Sequence, residues 1–298
     1  MKNTFITLKN EELEVVLAPL GASIYLIRFN QEIMTLTPDG FNNFALPSAY
    51  YGKTIGPISN RVKDGVLKLE GQEYHFDINE SPNSLHSGKE GISNKEFNFK
   101  KEKNSIIFYL EDEKAFYEII YSLKDNSLDL VLKALAKADY PIALTNHAYF
   151  CLGDEDINNL SLTIPSHKFV ETESTSLLPM KLKDILPCLD FNEKKKIIKD
   201  INDDYLQNHR SLGYDHCFLL DKGFIILENE KYIMDIQTDF EALQIYSDNY
   251  ADNVPMLSTL KDHHRGVAME PQDSLLNRVV LKKGKTYMRH IVYSFRKK

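Results

Sequence analysis

Two residue placements in this chain could do proton chemistry. Glu270 closes the run Gly266-Val267-Ala268-Met269 and precedes Pro271. An apolar setting penalises a carboxylate and raises its pKa unless a cation compensates, which suits a general base. His147 sits inside ALTNHAYFCLG, among Ala143, Leu144, Ala148, Phe150 and Leu152. Burying a polar group without a partner costs about 1–3 kcal/mol, so that histidine is either satisfied by its surroundings or kept for chemistry. Three further stretches hold polar residues in unusual company. GPISNRVKDG puts Arg61 just before a hairpin, NSLHSG puts His86 in a Ser/Gly loop, and GYDHCFLL puts Asp215 and His216 at the mouth of a strand. Singly, each has a structural explanation: an ion pair, a loop histidine, a satisfied core histidine, a turn cap, a loop-edge acid. Asp215 and Glu270 could also form the carboxylate pair of a glycoside hydrolase.

Other chemistries lack their signatures. No GxGxxG follows a strand, and GxxxxGK[ST], HExxH, GxSxG and HxH do not occur. His263 and His264 are adjacent, so on a strand they would face opposite ways. No metal site is therefore expected.

The elements that must position these residues read as strands. Apolar residues alternate with polar ones through TFITLKN, ELEVVLAP and ASIYLIRFN. The alternation resumes in EFNFKKEKNSIIFYLED, FYEIIYSLKDNSLDLVLKALAK, GFIILENEKYIMDIQTD, ALQIYSDN and KTYMRHIVYSFRK. GVLKLEGQEYHFDI predicts a hairpin turning at Glu70-Gly71, and YPIALTNHAYFCL reads as one buried strand. Short polar turns imply antiparallel pairing, because parallel pairs need long crossovers. The fold class expected is all-β, a large antiparallel β-sandwich, with residues 1–298 as one domain. Residues 36–64 and 172–215 break the rhythm and read as excursions from the sandwich, the second with a short helix near Asp203–Gln207.

Composition narrows the partners. The 298 residues are 43% hydrophobic and carry a formal net charge of −7, which disfavours nucleic acid or an anionic membrane as partner. No apolar run reaches the roughly 18 residues of a spanning helix. The first residues alternate rather than forming an apolar block, and the three cysteines have no CxxC spacing. A cytoplasmic location is expected.

Five ordered segments resemble the aldose 1-epimerases (galactose mutarotases). They are YYGKTIGPISNRVKDGVLKLEGQEYHFDINESPNSLHSG, LTNHAYFCL, GYDHCF, TDFEALQIYSDN and GVAMEPQDSLLN. The resemblance implies a galactose mutarotase-like supersandwich with an open groove for a free monosaccharide, and neither cofactor nor metal. It implies His147 as general acid and Glu270 as general base. It also implies Arg61, His86 and Asp215, with Asn60 beside Arg61, as the residues that hold the sugar. LHSG replaces that family's LHGG, and the Pro-Asp after its Glu-Pro-Gln is missing, so the sugar stays open. A sugar sensor on the same fold and a hexose-6-phosphate 1-epimerase remain alternatives. The expected pH behaviour places ionisation of Glu270 on the acidic limb and deprotonation of His147 on the basic limb, with the carboxylate raising the histidine pKa.

Overall fold

The computed structural model describes residues 4–46 and 50–298. Alternation becomes burial strand by strand. The strand Ala115–Lys124 buries Ala115, Tyr117, Ile119, Tyr121 and Leu123, and Ser127–Ala136 buries Leu128, Leu130, Leu132, Ala134 and Ala136. The two pair antiparallel in unbroken register, from Ala115↔Ala136 to Lys124↔Ser127. They belong to a nine-stranded sheet that also contains Asn98–Lys101, Ser105–Glu111, Thr286–Lys297, Tyr232–Thr238 and Phe224–Glu228. A six-stranded sheet runs in the order Tyr149–Phe150, Val267–Gln272, Ala242–Tyr246, Asp215–Leu219, Lys168–Thr172, Pro179–Asp184. The first strands, Ile6–Lys9 to Glu32–Ile33, form a four-stranded antiparallel sheet. One hydrophobic cluster joins them, with Tyr117, Ile119 and Ile291 from the large sheet meeting Phe169, Phe218, Leu243, Ile245 and Met269 from the smaller one. Such a core between facing sheets defines a β-sandwich.

Several expectations hold. Val66–Leu69 and Gln72–His75 form the hairpin, with Glu70 and Gly71 both at positive φ, as a two-residue primed turn requires. A one-turn helix spans Asp204–Gln207, capped by the Asp203 side chain.

Two expectations need correction. Residues 172–215 are not simply an excursion. Pro179–Asp184 is an edge strand of the six-stranded sheet, and Lys195–Lys196 is an edge of the nine-stranded sheet. Edge strands face water along one side, so PMKLKD and its lysines carry no clean alternation. The stretch around His147 is not one strand either. Only Tyr140–Pro141, Thr145–Asn146 and Tyr149–Phe150 are regular, and each pairs with a different partner. The stretch passes from one sheet to another, exchanging hydrogen bonds with residues 52–59 and then with Met34 and Leu36.

Gly52 fastens this passage. Its N–H donates to the His147 carbonyl at 2.9 Å, and its own carbonyl accepts from Ile24 N–H and from Asn146 Nδ2, each at 2.9 Å. Its φ is +66°, and a Cβ there would lie 1.7 Å from the Ile24 carbonyl oxygen. Gly52→Ala is expected to lower stability by about 2–4 kcal/mol, combining left-handed backbone strain with a clash against backbone that cannot give way. Urea denaturation measures this; a loss of only a few tenths would mean that the passage relaxes freely.

Candidate active site

Residues separated by more than two hundred positions line one pocket of about 270 Å³. That lies just under the roughly 300 Å³ lower end of small-molecule sites, a size for a small ligand. All six residues singled out from the sequence for this site, Asn60, Arg61, His86, His147, Asp215 and Glu270, line it. His216 does not. Strand alternation turns it away from Asp215 into the core, where it packs against Phe169 and Tyr205, and its Nδ1 accepts from the Asp215 backbone N–H.

His147 and Glu270 meet on the pocket floor. His147 Nε2 lies 3.3 Å from Glu270 Oε1, with the side chains 7% and 3% exposed. Glu270 stands in the interior strand Val267–Gln272, whose six residues are all buried. His147 has its backbone locked by two hydrogen bonds, its N–H to Lys53 O and its carbonyl to Gly52 N–H, both 2.9 Å. Tyr50 lies nearly parallel to the imidazole at 5.7 Å between centroids, and Tyr149 packs at 5.0 Å.

Burial governs the charges of this pair. Desolvation pushes His147 down to about 4. Desolvation, assisted by the nearby Asp215 carboxylate, holds Glu270 well above the usual carboxylate range. This corrects the expectation that the carboxylate would raise the histidine: at this depth the loss of water outweighs the attraction. Both shifts act against charge, so burial favours carboxylic acid and neutral imidazole over carboxylate and imidazolium.

A polar frame surrounds the pair. Glu80 grips Arg61 in a two-pronged ion pair, Oε2 to Nε at 2.7 Å and Oε1 to Nη2 at 3.0 Å, and Arg61 Nη1 reaches Asp215 Oδ2 at 3.4 Å. Gln244 Nε2 donates to Asp215 Oδ1 at 2.6 Å, and Asn60 Nδ2 donates to Gln244 Oε1 at 3.2 Å. Burial raises the Asp215 pKa, with Arg61 opposing. Asn60 and His86 both take positive φ, 61° and 54°. They lock one another, His86 N–H to Asn60 O at 3.1 Å and Asn60 N–H to His86 Nδ1 at 3.2 Å. Backbone strain of this kind gathers where function needs a fixed side chain.

That last bond fixes the His86 tautomer. Nδ1 accepts, so the proton is on Nε2, which can donate to a ligand. It also bears on metal binding. His86, His147 and Glu270 each offer a ligand atom within 4.8 Å of the others, a cluster that sequence spacing could not reveal. Ligation through His86 Nε2 would move its proton to Nδ1, where it would collide with the Asn60 N–H. The donor set as arranged fits a hydroxyl acceptor better than a cation.

The sequence reading passed over Glu80, Gln244 and Asp252. Gln244 carried a usable signal, a lone polar residue within the apolar run ALQIY, and it pairs in register with Glu270. Glu80 and Asp252 lie in loops and carried none.

The profile of the aldose 1-epimerase family matches residues 4–294. Human galactose mutarotase is 27% identical over 255 residues, covering 75% of this chain and 70% of that protein. The aldose 1-epimerase of Haemophilus influenzae is 25% identical, covering 78% and 74%. Among solved structures, an aldose epimerase homologue from C. elegans superposes with a TM-score of 0.89 at 24% identity, covering 99% of both chains. A galactose 1-epimerase from Lactobacillus acidophilus gives 0.88 at 21%, covering 98% and 94%.

The buried pair yields a direct expectation for the ligand-free protein. Nitrogen NMR should find the His147 imidazole neutral on acidification from neutrality, with a midpoint of about 4. A midpoint near the unperturbed value of about 6.5 would mean that water reaches the ring.

Proposed function

The chain belongs to the aldose 1-epimerase family, a family of isomerases, and from that premise we propose that it interconverts the α- and β-anomers of a free, uncharged aldose of the galactose or glucose type, with His147 as acid and Glu270 as base. The observation that carries the reading is the 3.3 Å contact between two buried titratable groups on the floor of a pocket framed by hydroxyl-binding side chains.

The chemistry needs no cofactor. Glu270 takes the proton from the anomeric hydroxyl while His147 gives one to the ring oxygen, and the bond from C1 to the ring oxygen breaks. Rotation about C1–C2 presents the other face of the aldehyde, and the same transfers in reverse close the ring. Before opening, the pair must be carboxylate and imidazolium; afterwards it is carboxylic acid and imidazole. The second form is the one burial favours. The site is thus electrostatically suited to the open-chain sugar, the species nearest the barrier. Bound hydroxyls and the frame around Arg61 offset the cost of moving the proton back to His147 for the closed ring.

The polar frame supplies binding. Arg61 and Asp215 are assigned to the sugar hydroxyls, with His86 donating from Nε2 and Asn60 bracing the frame through Gln244. The lining supports an uncharged substrate. Glu80, Asp215, Asp248 and Asp252 outnumber Arg61 and Arg210, and Glu80 engages both arginines. A phosphate would meet carboxylates rather than the guanidinium cluster it needs. Asp215 is itself taken up by Arg61 and Gln244, which argues against its pairing with Glu270 in glycoside hydrolysis. The large hydrophobic cluster shared by the sheets supports reading residues 1–298 as one domain.

Three outcomes test this. Polarimetry on freshly dissolved α-galactose and α-glucose should show that Glu270→Gln loses about 10²–10⁴-fold in kcat; activity within a few-fold of the parent removes Glu270 from the base role. The pair is active with one proton, so activity should fall at low pH as His147 takes a second, and at high pH as Glu270 loses the first. That assignment reverses the one made from sequence, and the residual activity of Glu270→Gln should lack the alkaline limb. Arg61→Ala and Asp215→Asn should instead raise KM, because contacts made in ground and transition states alike contribute uniform binding. An unchanged KM with a reduced kcat would place Arg61 in transition-state stabilisation.

A further inference from the structure

The connection between Ala242–Tyr246 and Val267–Gln272 spans residues 247–266 and forms one wall of the pocket. It is organised by Arg265, whose side chain is wholly buried. Arg265 Nε and Nη2 grip Asp248 Oδ2 and Oδ1 at 2.6 and 3.1 Å. Nη1 meets Asp252 Oδ1 at 3.0 Å, and Nη2 donates to the Tyr51 hydroxyl at 2.9 Å. Tyr51 in turn donates to Asp252 Oδ2. The carboxylate of Asp252 is thereby fixed at the pocket lining with its side chain 34% exposed. Burial alone would raise its pKa, but the hydrogen bonds from Arg265 and Tyr51 outweigh that and hold it below the usual carboxylate range, so it is ionised.

An ionised carboxylate offers about four acceptor positions. Oδ1 is filled by Arg265 and by the Val254 backbone N–H at 3.0 Å, whereas among the described residues Oδ2 has only Tyr51. One acceptor position on Oδ2 is therefore open. The wall reaches the reacting centre through packed rings: Tyr51 lies 5.1 Å from Tyr149, and Tyr149 lies 5.0 Å from His147. Asp215, the other hydroxyl-accepting carboxylate, stands on a different element at the start of Asp215–Leu219.

We propose that Asp252 is a substrate-contacting, specificity-determining residue, accepting a hydrogen bond at Oδ2 from a sugar hydroxyl other than the one held by Asp215, and that Arg265 is the positioning residue that presents it. This rests on the aldose reading and deepens it: the enzyme selects sugars with a free hydroxyl at that wall and discriminates against deoxy or anionic substituents there.

The test combines Asp252→Asn and Arg265→Lys with a series of monodeoxy aldoses. For the parent sugar, Asp252→Asn should raise KM about tenfold or more, as expected for a hydrogen bond to a charged group, with kcat within a few-fold. One monodeoxy sugar should show no such difference between wild type and Asp252→Asn, identifying the hydroxyl. Arg265→Lys, confirmed folded by its thermal transition, should raise KM similarly, and adding Asp252→Asn should change it little further. An unchanged KM in Asp252→Asn, or the same KM ratio for every sugar in the series, overturns the proposal. If the wild type interconverts no aldose, the aldose-epimerase reading fails. Calorimetric binding of galactose and glucose then judges Asp252 separately: a weaker Kd in Asp252→Asn supports the contact, and an equal Kd removes it.

Discussion

Loss of water around His147 and Glu270 is the constraint on which the site depends. Two groups that would be oppositely charged in solvent are held 3.3 Å apart at a depth where neither charge is favoured. Burial therefore favours the uncharged forms of both groups, carboxylic acid and neutral imidazole. A pair poised between two protonation states of equal proton count suits a reaction with no net proton transfer. Solvent would collapse the arrangement, because water would restore the ordinary pKa order and let each group titrate alone.

The fold is arranged to keep that depth. The six-stranded sheet supplies Glu270 from a fully buried interior strand, and the core beneath it excludes water from below. The irregular passage through residues 142–152 carries His147 across from the opposite side, fastened at Gly52 and Lys53. Tyr50, Tyr149 and His86 close around the imidazole. A histidine in a continuous strand would alternate with its neighbours between core and solvent; the break lets it point into the pocket while Asn146 turns back to Gly52 and Tyr121.

Charge at the rim follows a different rule. Arg61 is held by two carboxylates, so it presents a fixed donor rather than a free cation. Asp248 and Asp252 are likewise held in place by Arg265. The pocket is rich in ionised groups yet offers a ligand mainly oriented hydrogen-bond donors and acceptors, which is what a polyhydroxylated neutral ring requires. Networks of this kind are costly when incomplete and rigid when complete.

The sequence by itself determined the fold class and most of the site. Alternation with period two dictates half-buried strands whichever partners they find, and short polar turns dictate antiparallel pairing. Polar residues stranded in apolar company, His147 and Glu270 above all, were visible because burial without purpose is expensive. Only the tertiary structure decided the rest. Edge strands such as Pro179–Asp184 lack alternation because both faces see water, so no periodic signal existed to read. Glu80, Asp252 and the cluster of His86, His147 and Glu270 are long-range meetings, which local spacing cannot encode. The protonation state of the central pair was the least legible, because the sequence gives the types of the two groups while their charge depends on how much water the folded chain removes from them.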